Sequence, residues 1–409
     1  MLDPLPPPPA WLRDAVDPWA IYFNVPAISD HIHEVLIAFI VYQLIHFILS
    51  PWLSPLIFPR HYPQLNRRTK LNWDVHVVSL VQSIFINVVA LWAMFADEER
   101  KSMNVGERVY GYTGVCGMLG AFAAGYFVYD LIVSAIYIRM FGIGMLFHAI
   151  SALWVFSFGY RPFVNFYSPV FILYELSSPF LNIHWFLDKL NMTGSNLQWY
   201  NGMMLLFTFF CCRLVWGTWQ SVLVYRDMWY ALKQTWASHT LPGAPIDISS
   251  QVFSVLDNTS HCLDDTCSST TATAELSRFA SYTANGVPTW LVLTYVTANL
   301  VLNSLNYFWF SKMVETVMKR FRVPPSSSAA PSRTTKTEEK DSQLKEDIYI
   351  AQTVVLDAAA KLEQEEGSLF HGDAVAGTIA SAVDTGFVDE LRRRKADVTS
   401  ASTGGSSRI

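Results

Sequence analysis

Charge is scarce in this chain. Asp, Glu, Lys and Arg make up 15% of its 409 residues, where soluble domains carry about 25%. That shortage excludes a molecule wetted on all sides. Cysteine is scarce as well, and five cysteines in a chain of this length are too few for a disulfide framework. Basic clusters are missing, and a net charge of −5 argues against a nucleic-acid partner. The usual soluble catalytic signatures are absent too: no phosphate-binding Gly-rich loop, no dinucleotide-type turn, no Cys/His zinc spacing and no nucleophile elbow. Neither a metal nor a cofactor is expected on this reading. No basic segment leads into a short apolar core near Met1, so a cleaved signal peptide is not expected either.

What the chain does have is apolar length. Hydrophobic residues reach 51%, with 14 Trp, 18 Tyr and 27 Phe, many of them flanking apolar runs as interfacial belts do. Mean hydropathy is +0.24 even though the final stretch is polar. Runs of about 20 apolar residues can cross a bilayer as helices. Seven are expected: His33–Phe58 (broken by Pro51 and Pro55), Val75–Ala96, Tyr112–Ile138, Gly142–Phe158, Phe163–Ile183, Gly202–Tyr225 and Val287–Lys312. The predicted class is all-α, a polytopic membrane helix bundle. A Pro-rich segment over 1–32, opened by Pro4 and Pro6 to Pro9, precedes the first span and its loop at 33–64. A transmembrane domain follows over 65–230, then an insert over 231–286, the last span over 287–312 and a polar tail over 313–409.

Orientation follows from Lys and Arg near the span ends. Arg60, Arg67, Arg68 and Lys70 follow the first span, and Lys312, Lys319, Arg320 and Arg322 follow the last. Seven spans put both segments on one side, the cytosol, with the N-terminus and the 231–286 insert in the lumen. That insert holds the sequon Asn258-Thr259-Ser260 and the pair Cys262 and Cys267. Glycosylation at Asn258 and a Cys262–Cys267 disulfide both need an oxidising, lumenal side. A second sequon, at Asn191, falls in a loop expected to be cytosolic. Beyond the Pro/Ser linker from Pro324, an apolar stripe of Leu344, Ile348, Ala351, Val355, Ala358 and Leu362 marks a helix near 338–366. It reads as a solvated helix, or as a docking helix for a protein partner or a second copy. The end, from Ala396 to Ile409, reads as disordered.

The spans are not uniformly apolar. Asn87, Asp130, His148, Glu175 and Arg213 fall in successive runs. An ionisable group at bilayer depth costs at least about 2.5 kcal/mol, so such groups are expected to face a common interior. They form either a functional site or a polar network that fixes helix register. Gly114, Gly117, Gly120 and Gly125 have small-residue spacing and predict close helix packing. Gln43 and His46 read as packing or interfacial residues. Asn182 and Trp185, near a membrane interface, read as a cap and an anchor of the fifth span.

The segment Tyr174 to Asp188 reads YELSSPFLNIHWFLD and resembles the E-x-S-T-P-F-x-N-x-R-W-F signature of the TLC-domain family, which includes the ceramide synthases. Gly125 to Asp130 (GYFVYD) is similar to the family's third-span motif, and Met145 to His148 to the start of its L-L-H-H segment. Phe209 to Trp216 (FFCCRLVW) and Trp73 to Ser83 (WDVHVVSLVQS) resemble two further motifs. The likeness covers about 65 to 230 in order. The pattern departs at three positions. Ala149 stands where synthases have a second adjacent histidine, Gln82 replaces a histidine, and His184 replaces an arginine. The closer likeness is to the non-synthase branch, which implies lipid homeostasis in the endoplasmic reticulum.

On that resemblance, Gln82, Glu175, Asn182, Trp185 and Arg213 are candidate lipid-binding residues, and His148 with Asp130 a candidate catalytic pair. Acyl transfer from a thioester needs a base of near-neutral pKa and a group for the developing oxyanion. His148 could serve as the base, with Asp130 orienting its other ring nitrogen, and acyl-CoA would then be a co-substrate. Three functions remain open: a protein binding or moving membrane lipids, an N-acyltransferase of ceramide-synthase type using His148, and a scaffold for membrane enzymes acting through the tail helix. Ala149 can neither relay a proton nor carry an acyl group, so the first is favoured.

Overall fold

The computed structural model describes residues 1–240, 247–253 and 274–321. Asn258, Cys262, Cys267 and the tail helix expected near 338–366 lie outside these residues. Among the described residues all regular structure is helical. Five segments are long and apolar enough to cross a membrane: Ile28–Ile57, Arg67–Ala96, Val105–Ile136, Ile138–Tyr160 and Asn196–Ser238. In lipid a backbone must satisfy its own hydrogen bonds, which helices do. This is an integral membrane protein.

A short helix, α1 (Ala10–Tyr22), follows the Pro-rich start, with Pro9 as its N-cap residue. Helix α2 (Ile28–Ile57) is not broken at Pro51 as expected, because a π-helical turn over Ile45–Leu49 precedes the proline. A wider turn re-seats the ladder where a ring and a missing N–H would disrupt it. Helix α3 (Arg67–Ala96) is capped by the Asn66 side chain, which accepts from the Thr69 N–H. Helix α4 (Gly114–Ile136) packs on α2 along its glycines. A Cβ at Gly125 would lie 2.7 Å from Ala38 Cβ and 2.7 Å from the Val35 carbonyl oxygen. The close-packing expectation holds there and at Gly117, but Gly120 has nothing within 4 Å. Helix α5 (Ile138–Ser157) kinks at Gly142, whose φ of 83° suits glycine alone.

Two expected spans take another form. The fifth, over 163–183, is a chain of short pieces: 3-10 turns at Asn165–Tyr167 and Leu173–Ser177, and α-helices at Ser168–Ile172 and α6 (Ser178–Lys189). Pro169 and Pro179 stand in the first turns of the two α-helical pieces, where a missing N–H is tolerated but a continuous ladder is not. Helix α7 (Asn196–Ser238) contains a π-helical stretch over Phe210–Trp216. The last helix, α8 (Thr289–Phe321), has 33 residues, yet Asn299, Asn303 and Asn306 dilute its hydropathy and it is not among the five.

The connections gather at two ends. At one, Ala27 N–H donates to the Tyr160 carbonyl, Tyr112 N–H to the Leu276 carbonyl, and Arg100 Nε to the Phe166 carbonyl. At the other, Trp73 meets Phe58, Tyr62, Trp185 and Phe186. There Asp74 accepts from Ser50 Oγ at 2.6 Å and from the Tyr62 hydroxyl at 3.1 Å. Burial, and then Asp74, push the Tyr62 hydroxyl far above its ordinary pKa, so it remains a neutral donor.

Candidate functional site

The π-helical stretch of α7 carries Arg213, and π-turns inside α-helices recur at functional sites. Arg213 is buried and holds several acceptors at once. Its Nε donates to the Tyr174 carbonyl at 2.9 Å and to Ser177 Oγ at 3.0 Å, its Nη1 to Asn306 Oδ1 at 3.1 Å, and its Nη2 to Ser178 Oγ at 3.2 Å. Its guanidinium is 3.7 Å from Glu175 Oε1. The broken segment over 163–183 matters here, because its 3-10 turn supplies Tyr174, Glu175 and Ser177 side by side.

Helix α8 supplies a polar stripe that the sequence reading missed. Asn299, Asn303 and Asn306 are spaced four and three residues apart, which puts them on one face. Asn299 Oδ1 accepts from the Tyr225 hydroxyl and from Asn303 Nδ2, while Asn303 Nδ2 also donates to Ser221 Oγ at 2.9 Å. The Tyr174 hydroxyl donates to Asn303 Oδ1 at 3.1 Å. The signal was available: three amides at helical spacing inside an apolar run.

Among these groups lies a cavity of about 40 Å3, whose lining includes the polar His148, Glu175, Arg213 and Asn306 and the apolar Phe127 and Leu302. His148 comes from α5, its ring 6.4 Å from that of Phe127 and 5.8 Å from that of Trp309. It makes no hydrogen bond to another described side chain. Asp130 is buried on α4, lines no part of this cavity and is not hydrogen-bonded to His148.

Asn182 and Trp185 belong to a neighbouring cluster between α3 and α6. Asn182 sits inside α6 rather than at its cap. Its Nδ2 donates to Ser79 Oγ at 3.0 Å and to the Ser178 carbonyl at 2.9 Å, and His76 Nδ1 donates to its Oδ1 at 2.7 Å. Trp185 is buried rather than exposed at an interface, stacked on His76 with ring centroids 4.2 Å apart. Ser178 links the two clusters, since its Oγ donates to Glu175 Oε2 at 2.6 Å. Gln82 is 0% exposed and neither of its amide atoms has a partner; both ring nitrogens of buried His184 are likewise unpartnered. His46, expected to pack, is buried and bonded to the Tyr129 hydroxyl through Nδ1 at 2.6 Å.

The arrangement can hold a negative or strongly hydrogen-bonding group beside Arg213 and Asn306. It contains no oriented histidine–carboxylate pair among the described residues. Residues 72–315 match the family model described as the TLC domain. A TLC domain-containing protein of Schizosaccharomyces pombe is 35% identical over 317 residues, covering 77% of this chain and 89% of the relative. Topoisomerase I damage affected protein 4 of Saccharomyces cerevisiae is 27% identical over 73% of this chain and 89% of its own length. TLC domain-containing protein 4 of Homo sapiens is 28% identical over 44% of this chain and 67% of its own.

Proposed function

The chain belongs to the TLC-domain family, membrane-associated proteins tied to lipid biology, and we propose that it binds or moves a membrane lipid whose polar group enters the cavity at Arg213. The observation that carries this reading is the mixed lining of that cavity. Glu175, Arg213, Asn306 and His148 share it with Phe127, Leu302 and other apolar groups. A volume of about 40 Å3 takes a small polar group and no acyl chain. The chains of a lipid would lie outside, along the exposed stripe of Phe147, Ile150 and Trp154 on α5. Apolar side chains that face outward on a spanning helix meet lipid without cost.

Native mass spectrometry of the purified protein tests the reading. Retained lipid is expected in the wild type and is expected to fall, per folded molecule, in Arg213→Lys. Equal retention in both would remove the cavity from the account.

Acyl transfer is the weaker reading. His148 lacks an orienting hydrogen bond, and its neighbour Ala149 is 0% exposed and chemically inert. Acyl-CoA and a sphingoid base offered to purified protein should therefore give no turnover above a His148→Ala control. The proposed setting is the endoplasmic reticulum, with the N-terminus lumenal and the C-terminus cytosolic. It is supported by the placement of Arg60, Arg67, Arg68 and Lys70 at the Trp73 end, toward which α8 also runs. Protection of a C-terminal tag from protease in sealed microsomes would reverse that orientation.

A further inference from the structure

A second polar cluster lies at the other end of the bundle, away from the lipid cavity and independent of it. His31 and Glu34, three residues apart in the first turns of α2, share one face of that helix. Asp3 arrives from the extended N-terminal segment, which lies against Gly114 at the start of α4; a Cβ at Gly114 would sit 3.0 Å from Asp3 Cβ. One donor atom from each of Asp3, His31 and Glu34 lies within 4.8 Å of the others. We propose that Asp3, His31 and Glu34 form a binding site for a divalent first-row cation, Zn2+ in the first instance, which ties the N-terminal segment to α2 and α4.

The spacing suits a metal. His31 Nδ1 is 2.8 Å from Glu34 Oε2 and 3.3 Å from Asp3 Oδ2. Adjacent ligands of an ion bound at about 2.1 Å lie about 3.0 Å apart in octahedral and about 3.4 Å apart in tetrahedral geometry. These donors can therefore embrace an ion with small adjustments. The other ring nitrogen, Nε2, is hydrogen-bonded to the Tyr112 hydroxyl. With a metal on Nδ1, Nε2–H donates to that hydroxyl, the outer contact that fixes a ligand histidine's tautomer and angle.

Unmet valences give the second line of support. Glu34 is 0% exposed and its Oε1 has no hydrogen-bond partner. The Tyr160 hydroxyl, within electrostatic range of Glu34, has none either. Two carboxylates that share one imidazole in a buried place are costly unless a cation or a proton neutralises them. One imidazole with two carboxylates favours Zn2+, Mn2+ or Fe2+ over Cu(I), which wants thiolate or thioether.

The test uses the purified full-length chain. Metal analysis without chelator should find about one Zn2+ per chain, and Co2+ in its place should give a visible absorption band. Competition with a chromophoric chelator should show Asp3→Asn and Glu34→Gln each weakening Zn2+ binding at least about tenfold. Asp3 lies outside any helix, so Asp3→Asn decides the matter if Glu34→Gln does not fold. Added Zn2+ should raise the melting temperature of the wild type and leave that of Asp3→Asn unmoved. A folded wild type with neither bound metal nor a Co2+ band overturns the proposal. So does Zn2+ binding of wild-type strength in Asp3→Asn.

Discussion

Arg108 grips Asp227 with Nε 2.7 Å from Oδ2 and Nη2 3.2 Å from Oδ1, and the Tyr167 hydroxyl fills the remaining place on Oδ2 at 2.7 Å. Arg213, deeper in the bundle, stands 3.7 Å from Glu175 and spreads its donors over Tyr174, Ser177, Ser178 and Asn306. Both are arginine–carboxylate pairs joining distant parts of one bundle. The first is closed: Asp227 is 1% exposed, and the pair clasps the short helix Val105–Tyr110 to α7. The second borders a cavity and a histidine with no hydrogen bond. A saturated pair holds a fold together, whereas a loosely shared arginine beside open space can exchange one partner for a ligand group.

The contrast can be broken from either side. Asp227→Ala should have the largest effect on stability, about 3–5 kcal/mol, because it leaves Arg108 without its buried partner. Thermal unfolding in one fixed detergent reads this, and lipid retention per folded molecule should not change. Arg213→Lys should cost less, about 1–3 kcal/mol, since one ammonium cannot reach acceptors that a planar fork serves together. Unlike Asp227→Ala, it should also release bound lipid.

Smaller effects sharpen the comparison. Gln82→Met is expected to stabilise by about 1 kcal/mol, because a buried amide without partners is replaced by an apolar chain of similar size. A loss of stability there would mean that water or a bound group satisfies the amide. His148→Ala should shift stability by less than about 1 kcal/mol, its ring having no hydrogen bond to lose. Its signature should instead be weaker lipid retention.

Much of this was legible in residue types. Long apolar runs announced five spanning helices, since bilayer thickness selects for length; of the ionisable residues expected to share one interior, Glu175, Arg213 and His148 line the cavity and Asp130 does not. Counting apolar residues is blind to backbone chemistry, so where a fifth span was expected Pro169 and Pro179 stand in a chain of short helical pieces. The same break exposes the Tyr174 carbonyl to Arg213. Asn299, Asn303 and Asn306 went unnoticed, although their spacing signalled a polar face. Asp3 was invisible as a neighbour of His31, since no local pattern spans the Pro-rich segment between them.

The central claim is that a lipid's polar group sits beside Arg213 while its chains run along α5. A photoactivatable, clickable phospholipid, crosslinked in membranes and mapped by peptide mass spectrometry, addresses this directly. The account predicts crosslinks to α5 around Phe147, Ile150 and Trp154 that compete with unlabelled lipid and fade in Arg213→Lys. Crosslinks spread evenly over every exposed apolar face, unchanged by competitor or by the substitution, would contradict it.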